Sequence, residues 1–119
     1  MHEIKRLFGL IMDEYFAQIS GSKGNATGNN VGSISRKGFV ITENMRRNIR
    51  ALAAKSMQCD AYRQGQERMA GYMAEIRQKD PVDGLRGLFA AAVISPHYIH
   101  NMAFVIMAMP IIAQKLEQE

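Results

Sequence analysis

Apolar positions in this chain keep three different rhythms, and each rhythm predicts helix. Over residues 2–19, Ile4, Leu7, Phe8, Ile11, Tyr15 and Ile19 recur every three or four places, with Glu3, Arg6, Asp13 and Gln18 between them. That spacing gives a helix with one face against a core. Leu10, Met12 and Phe16 widen the apolar arc. From Glu43 to Gln78 a second pattern holds one phase for 36 residues without a proline. Met45, Leu52, Cys59, Gln66 and Met73 stand seven apart, flanked by Ile49 and Ser56 and then by Tyr62, Met69 and Ile76. Thr42 is placed to cap this helix, and Glu43 to sit at the positive end of its dipole. The pattern predicts one long helix of about 54 Å, with a break at Cys59-Asp60 as the alternative.

The third rhythm is the most informative. Gly87 to Gln114 contains no Asp, Glu, Lys or Arg in 28 residues, interrupted only by Ser95, Pro96, His97, His100 and Asn101. Asp80-Pro81-Val82-Asp83 and Ser95-Pro96 are both helix starts, a capping residue followed by proline at the first helical position. They predict helices over 81–94 and from 96 to about 117, the second kinked near Ile106 because Pro110 has no N–H to give that carbonyl. A helix apolar around its whole circumference is buried on every side. A chain of 119 residues has little interior to offer it. The expectation is therefore a homodimer or higher oligomer, with Ile99, Met102, Ile106 and Met109 in the seam.

Between the first two patterns lies Ser20–Gly32, with four glycines and three asparagines in 13 residues, costly to order and read as a flexible loop over 20–33. Arg36-Lys37-Gly38, between Ile34-Ser35 and Phe39-Val40-Ile41, fits either a short β-hairpin or an extended connector. The expected fold is all-α: a single domain, 1–119, holding a small bundle of about four helices. Residues 43–78 form its long helix and 81–117 its two hydrophobic ones, with or without the hairpin.

Composition narrows this further. Hydrophobic residues make up 47%, which suits a globular fold and not disorder. The single cysteine, Cys59, excludes an internal disulfide. The longest clean apolar run, Met102 to Ala113, has 12 residues against the roughly 20 that cross a bilayer. The apolar run Leu7–Met12 is too short for a signal sequence and is closed by Asp13 and Glu14. No membrane association is expected, and the cytoplasm is the default location.

The net charge of +4 is unevenly spread. From Arg36 to Arg63 there are seven basic residues against two acidic ones, a local +5. Arg46, Arg47 and Arg50 fall within about a 100° arc of a helix. With Arg36 and Lys37 on the preceding turn, they are the candidate contact to an anionic partner, nucleic acid or nucleoprotein. The plainer account is a solvated helix face, with Glu43 neutralising Arg46 or Arg47 at i+3 and i+4. No aromatic residue interleaves the arginines to stack on bases.

Other chemistry is weaker. His97 and His100 share a helix face but lack a neighbouring third ligand, so no metal is expected. Cys59 with a histidine lacks an orienting acid and sits on the apolar stripe, where cysteine acts as a small hydrophobe. The glycine-rich loop lacks the Lys-Ser/Thr pair of a phosphate-binding loop. No cofactor and no catalysis are expected. The leading expectation is a non-catalytic oligomeric binding protein with a basic surface. The alternative is an adaptor or inhibitor that meets another protein through its loop and the methionines Met102, Met107 and Met109.

Overall fold

The computed structural model describes residues 2–24, 39–94 and 98–119, with side chains placed for all of these except 21–24 and 98–101. Six helices account for nearly all of them: α1 (His2–Gly24), α2 (Glu43–Met57), α3 (Asp60–Arg68), α4 (Ala70–Gln78), α5 (Pro81–Ile94) and α6 (Tyr98–Gln118). No strand occurs among the described residues. The all-α expectation holds, with six helices instead of about four. The proposed hairpin turn, 34–38, lies outside the described residues, and Phe39 to Thr42 run as non-helical chain. α1 continues through Ser20 to Gly24, so the glycine-rich stretch begins as helix. The rest of the expected loop, 25–33, also lies outside the described residues.

The long helix expected over 43–78 is divided in three. α2 ends at Met57, and Cys59 takes an extended conformation (φ −81°, ψ 145°) as the residue preceding α3. Asp60 is the first residue of α3, not its cap, and pairs with Arg63 three residues on. The second interruption is slighter. Met69 leaves helical geometry (φ −111°, ψ 23°), yet its N–H still reaches the Gly65 carbonyl at 2.8 Å. A rod of about 54 Å would outrun the molecule, whose longest extent is 47 Å. Breaking it lets Met45, Ile49, Leu52 and Ala53 of α2 and Met73 and Ile76 of α4 bury against the same neighbour.

That neighbour is α6. It packs against α2, α5, α4 and α3, while α1 closes the other side of α2. A nearly charge-free helix can therefore be sheltered inside one chain. Met102, Ile106 and Met109, expected in an oligomer seam, are 1%, 1% and 0% exposed within the single chain. The side chain of Ile99 is outside the described set. Met107 is buried as well, whereas Met57 is exposed.

Two caps form where the sequence placed them. The Thr42 hydroxyl accepts from the Met45 N–H at 3.1 Å and donates to the Glu14 carboxylate, tying the start of α2 to α1. Asp80 accepts from the Asp83 N–H at 2.8 Å and opens α5. Between α1 and α5, Tyr15 meets Phe39 and Phe89, each at a centroid distance of 4.7 Å. These contacts fix the path of the chain entering α2.

Candidate binding surface

The basic residues of α2 face the end of α6. Arg46 and Arg50 are one turn apart, and both reach the last turn of that helix. The Arg46 guanidinium donates to the Leu116 carbonyl at 3.4 Å and lies 3.5 Å from the Glu119 carboxylate. Arg50 lies 3.5 Å from Glu117. A cation against free carbonyls at a helix C-terminus is favoured by the helix dipole, so Arg46 has a structural role as well as a charge. Arg47 sits on the flank, exposed, its guanidinium 3.5 Å from the Asn44 side-chain oxygen. The expected partner of these arginines, Glu43, forms no ion pair with them among the described residues. The acids that meet them come from the far end of the chain. Arg36 and Lys37, the other two predicted contacts, lie outside the described residues.

Beside this basic side runs an open groove of about 400 Å³ between α2, α3, α4 and α6. Its floor is apolar: Ala53, Met73 and Ile111 are buried. Its walls carry Ala54 and the exposed Met57, with Tyr62 and Pro110 on opposite sides. Arg50 and Arg77 stand at its rim, with Glu117 beside Arg50. Among the described residues Arg77 forms no ion pair. Sequence reasoning missed Arg77, because its arrival at the same groove as Arg50 depends on the breaks at 57–60 and at Met69.

A second, smaller cavity of about 170 Å³ lies between α4, α5 and α6, lined by Tyr72, Leu88, Ala91 and Phe104. The Tyr72 ring meets Phe104 edge-on at 4.8 Å. Burial pushes the Tyr72 phenol well above its ordinary value, and the charge of Glu75 pushes in the same direction. At the protein surface, a hydrogen bond from Arg6 holds the Glu3 carboxyl below the usual range.

The metal and nucleophile candidates gain nothing from the fold. His97 lies outside the described residues, as does the side chain of His100. Cys59 is half-buried, with its Sγ 3.6 Å from the Lys55 carbonyl. No group of three potential metal ligands occurs among the described residues. None of the described helices is long and apolar enough to cross a membrane. No protein-family model, curated protein or solved structure matches the chain. The arrangement that remains is a helical scaffold presenting arginines beside an apolar groove, a surface suited to binding.

Proposed function

We propose that the protein is a non-catalytic binding protein that meets an anionic partner through the basic side of α2. The observation that supports this most directly is that Arg50 and Arg77 line one groove, with Arg47 exposed on the same helix as Arg50. Arg47 and Arg50 are exposed. The pairs Arg46–Glu119 and Arg50–Glu117 are long and solvated, and surface pairs of this kind are worth only about 0–1 kcal/mol. An incoming phosphate or carboxylate competes with them on nearly equal terms.

Retention on immobilised heparin, duplex DNA and polyglutamate at low salt tests the proposal. Wild-type protein is expected to bind at least one of them. The double substitution Arg47→Glu and Arg50→Glu removes that retention while helicity by circular dichroism stays unchanged. Retention should fall with salt, at a slope set by the two or three cations engaged. Passage of the wild type unretained through all three columns overturns the proposal.

A further inference from the structure

We infer that the partner's contacting element is an amphipathic helix carrying acidic residues beside an apolar stripe, and that it lies in the groove between α2, α3, α4 and α6. This inference deepens the proposed function and rests on it for the charge of the partner. The groove itself is a separate observation.

A groove of about 400 Å³ has the volume of a small-molecule cleft, but such sites bury roughly 70–90% of their ligand. This one is open to solvent, more a groove than an enclosed cavity. It can receive side chains from above. Its section matches a protein interface, with a buried apolar floor at Ala53, Met73 and Ile111 and a polar, charged rim. Nucleic acid has no use for such a floor without aromatic stacking platforms, and the one aromatic in the wall is Tyr62.

The form of the partner follows from the scaffold. No strand edge is present among the described residues, so an extended peptide finds no main-chain partners to pair with. A helix satisfies its own backbone and needs only side-chain contacts, and apolar residues at i, i+3, i+4 and i+7 would fill the floor. Its charge follows from the rim. Glu117 already sits 3.5 Å from Arg50, an acid of this chain in the place where the partner's acid would pair. Arg77, which lines the same groove, forms no ion pair among the described residues.

The test is selection from an mRNA-displayed random library of peptides about 16 residues long, roughly 24 Å as a helix. The full-length protein serves as bait. Two variants at exposed groove positions, Ala54→Trp and Met57→Glu, serve as counter-baits, because the first fills the groove and the second puts a negative charge in it. Enriched peptides are expected to combine helical apolar spacing with net negative charge. They should bind either counter-bait about tenfold or more weakly, the loss typical of a blocked anchor pocket.

Ala54→Trp should still behave as wild type on heparin, because it leaves Arg47 and Arg50 intact and adds no charge, whereas Met57→Glu should elute at somewhat lower salt because its carboxylate shares the groove with Arg50. Three results overturn the inference: no enrichment, enrichment without apolar spacing, or equal recovery on wild type and both counter-baits. Displacement of selected peptides by duplex DNA, with recovery unaffected by Ala54→Trp, assigns the surface to nucleic acid and overturns it as well. Peptides with the apolar spacing but no acidic bias would instead sink the anionic reading of the partner and leave the groove as the site.

Discussion

The side chain of Gln18 holds the backbone of Val40 at both polar atoms. Its amide nitrogen donates to the Val40 carbonyl at 2.9 Å, and its oxygen accepts from the Val40 N–H at 2.8 Å. One glutamine on α1 thus takes the part of a neighbouring strand for a segment that has none. The latch sits between the buried Phe39 and the capping Thr42, so it sets the register in which α2 begins. Gln18→Ala breaks both bonds, and water can replace them at this exposed position. The expected loss is about 1 kcal/mol, read from urea unfolding. Gln18→Glu keeps the acceptor but sets a carboxylate against the Val40 carbonyl. It should be at least as destabilising at neutral pH, and should recover as the solution is acidified below the usual glutamate range, about pH 4.

Two glycines in helices make opposite demands. A Cβ at Gly65 would lie 2.8 Å from Met107 Sδ, so α3 approaches α6 as closely as it does only because that position is bare. A Cβ at Gly87 meets nothing within 4 Å. Alanine gains up to about 1 kcal/mol over glycine inside a helix. That gain should appear in full for Gly87→Ala. At Gly65 it is opposed, because the far end of the buried Met107 side chain has to shift, and overpacking of this kind costs about 1–3 kcal/mol. Gly65→Ala is expected to destabilise by about 1 kcal/mol. In a Met107→Ala background the same change should become neutral or favourable, and a double-mutant cycle measures the difference.

What the sequence made legible was local. Two of the start signals, Thr42 and Asp80, lie where a helix begins, the third, Ser95-Pro96, lies outside the described residues, and the stripe Ile4, Leu7, Phe8 and Ile11 is buried as its spacing demands. The fold class followed from these. What the charge-free run 87–114 could not tell was what shelters it, because periodicity reports that a helix is covered without reporting by what. The break at Cys59 was the alternative the pattern left open, and the interruption at Met69 had no signal in it. Cys59 and Gln66 keep the seven-residue spacing, but neither is buried, since the stripe serves a helix wrapped by short neighbours and not a straight seam. Arg46 and Arg50 were visible as a basic arc, whereas Glu117 and Glu119 opposite them lie about 70 residues away in sequence. No local pattern links positions so far apart.

Tyr72 gives the molecule an alkaline limit. Its phenol is raised above its ordinary value of 10.0, burial being the larger cause. An acid that holds its proton more tightly when folded adds stability that is complete below the unfolded pKa. That stability falls as pH rises above about 10, where only the unfolded chain releases the proton. Tyr72→Phe keeps the edge contact with Phe104 and removes the ionisable group. Denaturant midpoints for the wild type should decline between pH 9 and 11 more steeply than those of the variant. Parallel curves would show that the phenol ionises freely in the folded protein.

The acids at the end of α6 hold the arginines of α2 in part-neutralised form, and their removal should strengthen binding more than it weakens the fold. Arg50 and Glu117 are more than half exposed in their side chains, and Glu119 likewise. The contribution of each pair to stability is therefore about 0–1 kcal/mol. Replacing Glu117 and Glu119 by glutamine preserves the shape of the tail and withdraws two negative charges from beside Arg46 and Arg50. On heparin, elution of this variant should require more salt than elution of the wild type, while its thermal midpoint changes little. Both effects should shrink as ionic strength rises toward 1 M, where the screening length is about 3 Å. Unchanged elution at low salt would mean that the arginines of α2 do not carry the anionic contact, whatever else the protein binds.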